Sequence, residues 1–178
     1  MDIRSSVVVA NLRLLEQGRE LIAALPDTAF AAASSAGKPV GPHFRHVLEH
    51  YSCFLDGLGS GRIDYDSRAR EAELESRRAI AGDRIGILIA GLIGLDGADL
   101  DQPAQARLES GFGGEEEQWS RTTLRRELHF LLSHTVHHYA LIGLLLVQRG
   151  IDPGSEFGVA PSTLKYWQSQ PACAPLPG

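Results

Sequence analysis

Six of the seven histidines in this 178-residue chain fall in two short stretches. His43, His46 and His50 lie in GPHFRHVLEHY; His134, His137 and His138 lie in LLSHTVHHYALIG. Imidazole is the commonest metal-binding side chain. His46 and His50 are four residues apart, as are His134 and His138. Each pair therefore shares a helix face, about 40° apart around the axis. His43–His46 and His134–His137, three apart, are rival pairs on the same helices. His46 is within a turn of both other histidines of its stretch. The zinc-protease motif needs Glu after its first His; here Thr135 follows His134, so that chemistry is not indicated.

Either stretch alone fits a bland reading, with core histidines bonded to backbone or acids. The pair on two helices favours metal. Facing helices of a bundle can build one site between them. Three protein ligands with a position left over make an open site, whereas structural zinc sites are closed by four. Three imidazoles suit Zn²⁺, Ni²⁺, Fe²⁺ or Cu²⁺. Glu49 is either a carboxylate that orients a ligand imidazole or a surface acid. Tyr139 is a donor beside the site or a core residue. The surroundings of Trp119 and Trp167 suit a dimer interface or a core equally. Glu115, Glu116 and Glu117 read as a solvated acidic run, and Cys53 as a small buried hydrophobe. No GxSxG elbow accompanies the serines and histidines.

The elements that must position the histidines are helical. Val8, Leu12, Leu15, Ile22 and Leu25 recur at helical spacing and predict a first helix over about 3–25, ended by Pro26. An Ala- and Ser-rich loop leads to Pro42 in the first turn of a second helix, which runs to about Leu58 and stops at GSG. Residues 62–66 read as a loop. Ser67 is the expected cap of a third helix that starts with REAELES, carries Glu73 and Arg77 at i,i+4, and turns wholly apolar. Residues 95–103 break it. ARLESGFGGEEEQWSRTT then reads as a β-hairpin or ordered loop around a Gly-rich centre. Thr122 or Thr123 caps a fourth helix over about 124–149, ended by Gly150. The tail holds at most one short helix, capped at Ser162.

Composition narrows the function classes. With 43% hydrophobic and 22% charged residues the chain is ordinary globular protein. Its net charge is −5, and 15 arginines and two lysines are scattered among acids. No basic footprint for nucleic acid results. Two cysteines, Cys53 and Cys173, make no disulfide framework and fit a reduced cytoplasm. The N-terminus lacks the pattern of a signal peptide. The longest uncharged apolar stretch, 85–95, falls short of the roughly 20 residues needed to span a bilayer. The expectation is a soluble protein without membrane or nucleic-acid partners.

VGPHFRHVLEH and HTVHHYALIG resemble, in order, the two metal motifs of the DinB-like superfamily (DinB/YfiT-like metalloenzymes). That family has one His on its second helix and an HxxxH pair on a later one. By the resemblance, His46 matches the first ligand, with Glu49 as the acid three positions on; His134 and His138 match the pair. His50 is the rival of His46. The likeness spans about 3–149 and leaves the hairpin-like insert and the tail outside its motifs. The four helices with their insert suggest a helix bundle, and the resemblance implies the same all-α, four-helix bundle; the expectation is one domain over 1–178, with core 3–149, a loop-rich tail 150–178, and a short hairpin or ordered loop before the last long helix. The resemblance implies a three-His divalent metal site (Zn, Ni or Fe). It also implies a cytoplasmic homodimer that activates a low-molecular-weight thiol, such as bacillithiol, mycothiol or glutathione. The thiol would go to a small electrophile, or serve isomerisation or hydrolysis. The alternative is a non-catalytic, metal-binding or stress-related dimeric bundle. An open cleft above the three histidines separates the two readings.

Overall fold

The fold is described from a computed structural model, for residues 5–31, 38–109 and 119–170. Those residues are mostly helical. The long helices are α1 (Ser6–Ala24), α3 (Gly41–Gly57), α5 (Arg78–Ile93) and α6 (Leu124–Val147). Short helices α2 (Asp27–Phe30) and α4 (Ala72–Ser76) join them, and α7 (Pro161–Ser169) follows. Both α1 and α3 pack against α5 and α6. The α1 face is Val7, Val8, Leu14, Leu15, Leu21 and Ile22, at three- and four-residue spacing. Gly18 belongs to that face because a Cβ there would overlap the Tyr139 hydroxyl of α6.

A three-stranded sheet closes one end. Strand β1 (Arg62–Asp64) pairs in parallel with β2 (Pro103–Arg107), which pairs antiparallel with β3 (Ser120–Thr123). The β2–β3 pair forms where a hairpin is expected, but its first strand starts at Pro103 and not at Ala106; the Gly-rich residues 110–118, with Glu115–Glu117, lie outside the described residues. The expected loop at 62–66 is corrected: Ile63, fully buried, makes the segment a strand. Strand β3 runs directly into α6, where the Thr123 hydroxyl accepts from the Arg126 N–H at 3.2 Å, the expected N-cap.

The expected single third helix is two helices. Arg77 is extended, with φ −127° and ψ 96°, and separates α4 from α5. No Gly or Pro causes this break. Leu74 of α4 is fully buried and Glu75 pairs with Arg45 at 2.6 Å. Beyond the break, Arg78 pairs with Asp27 and donates to the Ile22 and Ala23 carbonyls. Each half is pulled to a different neighbour, and tertiary packing overrides helix propensity. Ser67 caps nothing; its hydroxyl donates to the Asp64 carbonyl. Likewise α7 starts from Ala160 and Pro161, not from a Ser162 cap.

The packed core also reaches past residue 149. Phe157 is buried and stacks on Tyr139 with ring centroids 4.7 Å apart. Gly158 has φ +72° and lies against the backbone of Tyr139 and Ala140 too closely for any side chain. By length and composition, α6 could cross a membrane. In this fold it buries Leu128, Leu131, Thr135, Tyr139, Ile142 and Leu146 as one stripe.

Candidate metal centre

Helices α3 and α6 are held in register by a buried polar connection directly behind the histidines. The Tyr51 hydroxyl donates to Asn11 Oδ1 of α1 at 2.7 Å, and the Thr135 hydroxyl donates to Tyr51 at 3.2 Å. Asn11 Nδ2 in turn donates to the Val7 and Leu128 carbonyls, at 2.8 and 3.0 Å. Each side chain of this connection has a partner, which is the condition for burying it without penalty. Tyr51 adjoins His50 and Thr135 adjoins His134, so a slip of one helix past the other would break the network.

On the far side of that connection, His46, His134 and His138 converge. One ring nitrogen from each lies within 4.8 Å of the others. His46 Nε2 and His134 Nε2 are 3.1 Å apart. Two nitrogens at that separation can both sit about 2.0–2.1 Å from one ion at adjacent coordination positions. All three residues are partly exposed, so the face is not sealed by packing. The spacing rule at i,i+4 holds for His134–His138, and the rival His137 is exposed at the edge with its ring centroid 5.3 Å from that of His138.

His50, the rival of His46, is placed differently. It is 1% exposed and both its ring nitrogens are engaged. Nδ1 lies 2.7 Å from the His46 carbonyl and Nε2 lies 3.1 Å from Arg68 Nη1. A guanidinium only donates, so Nε2 accepts and Nδ1 carries the proton. At the other edge, His43 Nδ1 faces His138 Nδ1 at 3.1 Å. One of these two nitrogens donates and the other accepts, so His43 and His138 hold complementary tautomers. His134 Nδ1 is buried and has no partner among the described residues.

The cluster is lined by aromatic rings. Phe130 stacks on His134 at 5.4 Å, and Tyr65 stacks on His50 at 5.4 Å. Tyr65 is fixed by its hydroxyl, which donates to the buried Glu127 at 2.9 Å; Thr122 donates to the other oxygen of that carboxylate at 2.7 Å. Burial is the largest cause of the shifts in this cluster. It pushes His46 and His50 down to about 3 and His134 and His138 down to about 4, with repulsion among neighbouring imidazoles and from Arg68 adding to it. These imidazoles are neutral at pH 7, which is the state that binds a metal. The residues present fit a divalent transition-metal ion.

Other candidates take other roles. Glu49 is 3% exposed and accepts from the Glu71 N–H at 2.7 Å, so it fastens the segment before α4. Tyr139 lies in the core between Phe44 and Phe157. Trp119 lies under the Arg62 guanidinium at 4.1 Å, and Trp167 is half exposed on α7. Cys53 is half buried, and burial pushes its thiol up to about 11. Cys173 lies outside the described residues. Arg68 was not signalled by the sequence, because nothing in SRAREAE distinguishes it from its neighbours.

No protein-family model matches the chain. Among curated proteins the chain is similar to FK506-binding protein 5 of Rhizopus delemar, with 29% identity over 108 residues. That stretch is 61% of this chain and 28% of the fungal protein, so the chain spans little more than a quarter of that relative's length.

Proposed function

We propose that this chain is a DinB-like four-helix bundle in which His46, His134 and His138 hold a divalent transition metal, Zn, Ni or Fe, in an enzyme acting on a small molecule. The observation that carries the reading is the convergence of three neutral imidazoles from α3 and α6 on one partly exposed face. Such a metal, when bound, lowers the pKa of a thiol or water on it and holds the resulting anion beside a substrate. The chain's own groups supply the rest. His43 sets the ring orientation of His138, and Phe130 packs on the face of His134. A thiol S-transferase, isomerase or hydrolase reaction is the activity class, with a low-molecular-weight thiol as the candidate substrate. A homodimer in the cytoplasm, without nucleic-acid or membrane partners, completes the proposal.

The partly exposed face favours this over a non-catalytic, metal-binding or stress-related bundle, in which a fourth protein ligand or packing would close the site. Binding of FK506 is not part of the proposal, since the fungal relative is matched over 28% of its length. Metal analysis of purified protein tests the site. Wild type is expected to hold about one equivalent of metal per chain and the His134→Ala/His138→Ala variant none. Equal metal content in the two would refute the proposal.

A further inference from the structure

A cavity of about 510 Å³ lies between α3, α5 and the segment that leads into α4. Its volume is in the range of small-molecule pockets. Ser52, Cys53 and Leu88 line it, and Arg68 belongs both to its wall and to the histidine cluster, through His50. The charged groups of this cavity are mostly accounted for. Arg84 grips the Glu71 carboxylate with two bonds, at 2.9 and 3.0 Å. Asp64 pairs with Arg107, and Glu49 accepts from the Glu71 N–H. Arg62 lies over Trp119, and Asp56 is an exposed acid of the lining. Arg68 differs from all of these. It is only partly exposed, and its partner among the described residues is a neutral imidazole.

The segment that carries Arg68 is built at some cost. Arg70 has φ +52°, the one non-glycine residue in the left-handed region among the described residues. Such conformations persist only where surrounding contacts enforce them. Here the enforcing contacts are the Glu49–Glu71 bond, the Arg84–Glu71 pair and the Ser67–Asp64 bond, on both sides of the strained residue. The outcome is a guanidinium held against the histidine cluster by Nη1, with no bond from Nε or Nη2 among the described residues.

We propose that Arg68 anchors a carboxylate of the small molecule that binds beside the three histidines. The inference rests on the proposed metal-site function and names the substrate class of that same site. A planar guanidinium edge matches a carboxylate with two parallel bonds. With Glu49, Asp56, Asp64 and Glu71 in the same lining, a monoanion is repelled less than a dianionic phosphate.

The test uses the full chain with 3-mercaptopropionate, 2-mercaptoethanol and inorganic phosphate as probes. In cobalt-loaded protein, the thiolate-to-cobalt absorption reports thiol binding. Wild type is expected to bind 3-mercaptopropionate about tenfold or more tighter than 2-mercaptoethanol, the size of a charge-assisted hydrogen bond. Arg68→Gln should remove that preference and leave 2-mercaptoethanol binding within about twofold, while Arg68→Lys should keep part of it. Equal loss for both thiols, or none, would overturn the proposal. A second readout needs no metal: the ¹⁵N–¹H signal of Arg68 Nε, assigned by its absence in Arg68→Lys. It should move with 3-mercaptopropionate in metal-free protein, less with phosphate, and not with 2-mercaptoethanol. No movement, or a larger one with phosphate, counts against the carboxylate assignment. Failure to take up cobalt or zinc would refute the metal-site reading instead, and the Nε signal would still decide the role of Arg68.

Discussion

The two edges of the histidine cluster have the same contact distance and opposite chemistry. At one edge His43 and His138 face each other, nitrogen to nitrogen, at 3.1 Å. At the other, His50 faces the Arg68 guanidinium, also at 3.1 Å. Two imidazoles can exchange donor and acceptor roles, so the His43 edge tolerates either tautomer. A guanidinium cannot accept, so the Arg68 edge allows one tautomer only. The first edge is adjustable; the second is fixed, with its imidazole buried. An imidazole in a histidine cluster is therefore not automatically a ligand. His50 has the right spacing and the wrong obligations.

This contrast is most sharply broken by removing one ring at a time. His46→Ala is expected to abolish stoichiometric metal binding, read by metal analysis after dialysis, whereas His50→Ala should still bind. If His50→Ala loses the metal as completely as His46→Ala, the assignment of His50 as a supporting residue is wrong. Acid is the next lever. The folded-state pKa values of His46, His50, His134 and His138 lie at about 3 to 4, below the ordinary 6.5. The unfolded chain then binds more protons between those values, so stability rises with pH across the window and falls as pH drops from about 6.5 towards 4. Thermal melts of metal-free protein should show a declining midpoint over that window. A flat profile would mean that the imidazoles are not held neutral by the fold.

Stability separates the edges further. His50→Ala opens a hole in a buried site and removes the partner of Arg68, at a cost of about 2–4 kcal/mol in denaturant unfolding. His43→Gln keeps a polar side chain at a half-open edge and should cost under about 1 kcal/mol. Its effect should appear in metal affinity, about tenfold weaker, because removal of a ligand-orienting partner has that size. Comparable stability losses for the two variants would erase the distinction. The smallest effect is a control at the far end of the same helix. Thr123→Ala removes the α6 cap and should cost about 1 kcal/mol with metal affinity unchanged.

Much of the helical frame was legible because it repeats. The apolar spacing of α1, the Pro42 start of α3 and the Thr123 cap of α6 are local signals, and each helix lies where they point. His134 and His138 were legible for the same reason, since i,i+4 spacing is a property of one helix, whereas His46 was set apart from His50 by the family resemblance. What escaped was decided between segments. RID is too short to show alternation, and its strand exists because β2 lies alongside. The break at Arg77 has no breaker residue and follows from the separate anchors of α4 and α5. Arg68 carries no sequence signal, and Glu49, expected to orient an imidazole or to lie on the surface, is buried and holds the Glu71 N–H, because both roles come from a turn that only the packed chain imposes.

The Asn11–Tyr51–Thr135 connection has one more consequence. It fixes the spacing of α3 and α6 without using any atom of the three converging histidines. The frame is thus a socket whose dimensions do not depend on what is plugged into it. Exchanging His46 for Asp, Glu or Cys should leave the backbone in place and change the preferred ion. Metal choice in this scaffold can then drift one side chain at a time, with the fold never placed at risk.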